Sequence, residues 1–131
     1  MFEKRENEKL EFKKSTSELK QAIISLSSML NKNNYGVLYF GVNNEGEIVG
    51  QQIGKDTTKD ISVQIKNNIR PVINPSINII EVGSKQIIKV EVYGDDTPYS
   101  AYGRYYIRSN DEDLLMTNSQ LENFFINKNI D

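Results

Sequence analysis

Polar and apolar residues alternate along Lys9-Leu10-Glu11-Phe12-Lys13, the two-residue period of a half-buried strand. The period then lengthens. Leu19, Ala22, Ile23, Leu26 and Leu30 recur at helical spacing on one face, and the polar run Asn31-Lys32-Asn33-Asn34 ends the helix. Ahead of it, Ser15-Thr16-Ser17-Glu18 reads as a capping box: the Ser15 hydroxyl accepts from an orphan amide and Glu18 reaches back. Residues 37–42 are apolar at successive positions, which predicts a central strand buried on both faces, and Asn43-Asn44-Glu45-Gly46 predicts a tight turn into 47–50.

A second helix starts near Asp56-Thr57, carries Ile61, Ile65 and Ile69, and stops at Pro71. Ile77, Ile79 and the run 87–92 predict two strands joined through Gly83-Ser84 as a hairpin. The turn-rich segment 94–98 leads into a strand over 102–108, and a last helix from Thr117 or Asn118 packs Leu121, Phe124 and Phe125. Helices interspersed with strands predict an α/β (α+β) class: one domain over 1–131, built on one mixed sheet of about five to six strands with about three helices.

A chain of 131 residues suffices for one sizeable core. The absence of cysteine excludes disulfides, zinc–thiolate sites and thiol nucleophiles. The absence of histidine excludes more: a Ser-His-Asp triad, a histidine general base and nearly every transition-metal site. Any metal must then be held by oxygens, which restricts the choice to magnesium, manganese or calcium. The N-terminus is charged and no apolar run approaches the ~18 residues of a membrane span. A cytoplasmic location with no membrane partner is the expectation.

The formal charge of −2 argues against indiscriminate nucleic-acid binding, but its distribution is uneven. Basic residues gather at Lys4, Arg5, Lys9, Lys13 and Lys14 and again at Arg104 and Arg108, whereas Asp95, Asp96, Asp111, Glu112 and Asp113 mark acidic loops. On the strand 102–108, period two places Tyr102, Arg104, Tyr106 and Arg108 on one face. Guanidinium groups pair with phosphates and tyrosine rings take bases or riboses, so this face suits nucleic acid. The same pattern suits a solvent-facing strand whose arginines pair with neighbouring carboxylates, and the residues alone leave both readings open. The glycines at 36, 41, 46 and 50 form no nucleotide-binding loop, because no Gly-x-Gly-x-x-Gly opens a helix.

Several pieces stand in a fixed order: Leu10-Glu11-Phe12-Lys13-Lys14, a helix ending Met29-Leu30-Asn31, the strand Tyr35-Gly36-Val37-Leu38-Tyr39-Phe40-Gly41-Val42, Pro98-Tyr99, and Gly103-Arg104-Tyr105-Tyr106-Ile107-Arg108. The ordered set resembles the Schlafen-type Alba-like DNA-binding domain over roughly Glu6 to Phe125. That resemblance implies a DNA-binding module of a bacterial or archaeal transcriptional regulator. Lys13, Lys14, Arg104 and Arg108 would hold phosphates, with Tyr102 and Tyr106 beside them and no cofactor. It also implies further C-terminal domains in the parent protein, such as an ATPase-type or winged-helix region, and leaves a homodimer open.

In the ribonuclease members of the family, two glutamates and an aspartate hold a divalent metal. Here Glu6 and Glu11 match the glutamates, while Asn43 or Asn44 stands at the third place and Glu45 is the nearby carboxylate. The alternative reading is therefore a metal-dependent endoribonuclease using Glu6, Glu11 and Glu45 with magnesium or manganese. A third reading is a protein-interaction or dimerisation module without a nucleic-acid role. The Asn at the third position sets the expectation of a binding module above that of an enzyme.

Overall fold

Ten consecutive residues of the first helix, Ala22 through Asn31, are buried, three serines among them. A helix with one apolar face packs on one side only, so this burial places the helix between two layers. The computed structural model, which describes Phe2 and residues 4–130, shows both layers as β-sheets.

The first sheet has the order β1 (Leu10–Lys13), β2 (Tyr35–Phe40), β5 (Lys85–Tyr93), β4 (Ser76–Val82). Its β1–β2 pair is parallel and its other pairs are antiparallel, which makes it a mixed sheet. The second is antiparallel, in the order β3 (Ile69–Arg70), β6 (Ser100–Ala101), β7 (Arg104–Ser109), β8 (Glu112–Leu115). The buried helix α1 (Leu19–Asn33) packs on β2 of one sheet and β7 of the other. The remaining helices are α2 (Thr57–Asn68), which leads directly into β3, and α3 (Asn118–Ile130). The mixed α+β class and the three helices stand as the sequence predicts. The strands divide between two sheets instead of sharing one, and β3, β6 and β8 are too short or too polar to announce themselves.

Local chemistry explains the entry and exit of α1. Ser15 Oγ accepts from the Ser17 amide at 3.2 Å, capping a short 3-10 turn at Thr16–Glu18, and Glu18 Oε2 accepts from the Lys14 amide at 3.1 Å. Asn34 takes the left-handed conformation at φ 61 and its amide bonds the Leu30 carbonyl, ending the helix. Gly36 lets the helix approach β2 closely, since a Cβ there would lie 2.7 Å from that of Met29.

Register decides what each face of the first sheet carries. Glu11 lies opposite Leu38 and Lys13 opposite Phe40, on the side that meets α1. Leu10, Phe12, Val37 and Tyr39 point to the other side, where Phe12 forms a small cluster with Phe2, Val42 and Ile87. Along β2, Leu38 and Phe40 are buried while Tyr35, Val37 and Tyr39 are only half-buried. The expectation of a strand buried on both faces is thus corrected: the β2 side chains directed away from α1 stay partly open.

Candidate functional site

The Tyr-Arg segment does not present one uniform face. Tyr102 and Gly103, at φ 52 and φ 76, form the turn between β6 and β7, so Tyr102 belongs to a hairpin tip instead of the strand. Its amide bonds the Asn68 carbonyl at 3.0 Å, and Lys20 Nζ sits 5.3 Å from the centre of its ring, a cation–π distance. Partial burial raises the Tyr102 phenol above its ordinary pKa. Arg104, next in the hairpin, is exposed and pairs with no carboxylate among the described residues.

Tyr106 and Arg108 continue the same alternation, but that side of β7 lies against α1. Tyr106 packs half-buried on the core, and its carbonyl accepts from Asn31 Nδ2 at 2.7 Å. Arg108 is 1% exposed. Its Nη1 donates to Asp113 Oδ1 and its Nη2 to Glu11 Oε1, each at 2.7 Å. The rest of the guanidinium bonds the Asn7 and Leu10 carbonyls at 3.0–3.1 Å. Burial opposes its charge, yet the hydrogen bonds of Asp113 and Glu11 outweigh that cost and raise its pKa.

Arg108 and Tyr106 are therefore withdrawn from the predicted nucleic-acid-binding set, because the face on which they lie is the core face. Lys13 is withdrawn as well: its Nζ lies 2.9 Å from Glu11 Oε2 and only 16% of its side chain is exposed. Lys14, Tyr102 and Arg104 remain at the surface, and Lys20, which the sequence pattern did not single out, joins Tyr102.

The predicted metal ligands follow a similar course. Glu6 Oε2 accepts from the Phe12 amide at 3.0 Å, and its carboxyl is pushed up to about 7 by burial and by a hydrogen bond with Glu11. One Glu11 oxygen faces Arg108 and the other faces Lys13. Asn43 serves its own turn: Oδ1 accepts from the Glu45 and Glu47 amides at 3.0 and 2.9 Å, and Nδ2 donates to Glu47. Glu45 is an exposed residue of that turn. Among the described residues no three acidic side chains converge to hold a metal ion. A divalent cation needs several free anionic oxygens, and here they are already neutralised by cations or shared with a proton, so the residues do not fit the metal. Of the nuclease set, Glu6 and Glu11 are brought together by a hydrogen bond, but Glu45 does not complete a cluster of three with them.

The missed partner in this region is Asp113. Read from the sequence as part of an acidic loop, it pairs directly opposite Arg108 in the β7–β8 register and accepts from Ser25 Oγ at 2.6 Å and from Ser28 Oγ. The spacing of Ser25 and Ser28, one helical turn apart in a stretch whose other residues, Ser27 apart, are apolar from Ala22 to Leu30, is the signal that could have revealed a polar partner across the core.

The family model for the Schlafen, AlbA_2 domain matches residues 6–117, and the chain belongs to that family. Two solved structures share the fold. The DIP2311 protein from Corynebacterium diphtheriae superposes with a TM-score of 0.70 at 15% identity, over 89% of this chain and 23% of that one. The N-terminal domain of a RecG-related protein from Nitrosomonas europaea gives a TM-score of 0.53 at 20% identity, over 83% of this chain and 84% of that one. The chain thus spans about a quarter of the DIP2311 chain and most of the RecG-related domain. None of the curated proteins matches the sequence.

Proposed function

We propose that this domain binds nucleic acid, DNA in particular, as a module of a bacterial or archaeal transcriptional regulator. Membership of the Schlafen, AlbA_2 family supports the reading. The observation that carries it is the hairpin tip, where an exposed Arg104 without a carboxylate partner among the described residues stands beside the Lys20–Tyr102 pair. A guanidinium offers paired donors to a phosphate, and a neighbouring ammonium adds charge at the same place. Lys14, exposed ahead of α1, supplies a further cation. Contacts of this kind give affinity and orientation but no choice of sequence, so specificity would come from other domains of the parent protein. With a net charge of −2 the binding is expected to be modest and strongly salt-dependent.

Fluorescence anisotropy with a labelled duplex at several salt concentrations tests the proposal. Affinity that falls linearly in log K against log salt is the expected result. No measurable binding at low salt would reject it.

A further inference from the structure

The outer side of the first sheet carries a concave surface that the hairpin-tip reading does not use. It is a groove of about 590 Å³ floored by Leu10 of β1 and Val37 of β2. Tyr35 and Tyr39 flank Val37 on the same strand face, roughly 7 Å to either side. Lys89 of β5 stands opposite Tyr39 in register, and Lys4 and Lys9 enter from the segment before β1. The lining thus holds three lysines and no carboxylate among the described residues. Two other grooves differ in this respect, since one is lined by Glu81 and Lys85 and another by Asp95, Asp96 and Lys128.

Glu91, the acid that pairs with Lys89 beside the groove, is already engaged. Its Oε2 accepts from the Tyr35 hydroxyl at 2.7 Å and its Oε1 lies 3.3 Å from Lys89 Nζ. The Tyr35 bond fixes that ring in place and raises its phenol to about 12, so the ring stays neutral at the edge of the groove. Tyr39 is fixed at the other end by Phe2, whose ring centre lies 4.6 Å away. Two positioned rings on a half-buried apolar floor, bordered by cations, form a stacking platform inside an electropositive channel.

We infer that this groove binds unpaired nucleotides of a single-stranded nucleic acid, with bases on Tyr35 and Tyr39 and phosphates on Lys4 and Lys9, Lys89 being paired with Glu91. A duplex cannot use it in the same way, because paired bases keep their faces inside their own stack. The inference rests on the nucleic-acid reading above and adds to it a second surface, on the sheet face turned away from α1.

The test compares a labelled single-stranded oligonucleotide with the corresponding duplex, on the whole chain and three variants. The exposed positions Lys4→Glu and Lys9→Glu are combined in one, Tyr39→Leu is the second and Lys59→Ala, at an exposed position of α2, the third, each checked for folding by circular dichroism. The charge-reversal pair is expected to weaken single-strand binding by roughly tenfold or more and to flatten its salt slope. Tyr39→Leu should weaken it several-fold with the slope unchanged, because a ring contributes stacking and not counterion release. Lys59→Ala, in neither proposed surface, should leave both affinities within about twofold. If the parent binds the single strand and both groove variants match it, the groove is overturned while the nucleic-acid reading survives. If the parent binds duplex alone, the groove likewise falls by itself. If it binds neither, both fall.

Discussion

Arg108 donates to Glu11 at 2.7 Å across 97 positions of the chain, and this ion pair ties β7 of one sheet to β1 of the other. With Asp113, Ser25 and Ser28 it forms a polar seam in an otherwise apolar core, in which no buried side-chain donor or acceptor among the described residues lacks a partner. Truncating the guanidinium would leave Asp113 without a counter-charge, Glu11 with Lys13 alone, and the Asn7 and Leu10 carbonyls with fewer donors. Arg108→Ala should therefore lower stability by about 3–5 kcal/mol, the range for breaking a buried ion pair from one side. Arg108→Lys should recover only part of that, because one ammonium cannot span the sites held by the fork. Urea denaturation followed by circular dichroism measures both; an unchanged midpoint in the alanine variant would show that the seam contributes nothing.

Glu6 makes stability depend on pH in a definite direction. Its folded pKa of about 7 lies above its ordinary value of 4.5, so the folded state holds the proton more tightly than the unfolded one. The contribution is fully present below about pH 4.5 and is lost as pH rises through about 7. Glu91 works with the opposite sign, because its hydrogen bond from Tyr35 lowers its pKa and moves its loss below that window. Stability measured from pH 4.5 to 7.5 should therefore carry a downward component that Glu6→Gln removes. Identical slopes in the parent and in Glu6→Gln would refute the assignment.

Arg108 and Glu11 also mark where legibility from the sequence ended. The α1 pattern, the position of β2, the Gly83-Ser84 hairpin and the stop before Pro71 rest on local signals and stand close to their predicted places. A two-residue period says which side chains share a face; it does not say which face is inward. On β7 the inward face is chosen by the second buried side of α1, and that side carries Ser25 and Ser28, which count as polar in any hydrophobic pattern. Glu11 is hidden for the same reason: it alternates with Leu10 and Phe12 as a solvent-facing residue would, yet its face looks into the core because a partner 97 positions away neutralises it. Tyr35 and Tyr39 show the converse, with apolar neighbours suggesting burial on a side that is turned away from α1 and only half-buried.

The engaged carboxylates bear directly on RNA cleavage. Glu11 is held between Arg108 and Lys13, and Asn43 completes its own turn, so among the described residues added manganese meets no free set of acidic oxygens. Incubation of the chain with structured RNA and manganese should leave the RNA intact. Glu11→Gln should reduce stability by up to about 3 kcal/mol, because the buried Arg108 is left with Asp113 as its remaining counter-charge. Manganese-dependent cleavage that Glu11→Gln abolishes in a folded protein would instead establish a nuclease.

The hairpin tip and the polar seam make opposite demands on the two arginines of β7, which gives the sharpest test of the binding surface. Arg104 is exposed and unpaired among the described residues, so Arg104→Ala should leave stability within about 0.5 kcal/mol of the parent. In a duplex titration it should flatten the log K against log salt slope by roughly one unit, the signature of one lost phosphate contact, and do so equally for unrelated sequences. Lys20→Ala should add a similar decrement, since its ammonium lies over the Tyr102 ring at the same tip. Arg108→Ala, in conditions where it remains folded, should keep the parent slope, because its charge is spent on Glu11 and Asp113. Slopes measured by anisotropy decide the matter: a flattened slope in folded Arg108→Ala with none in Arg104→Ala would move the contact surface away from the hairpin tip.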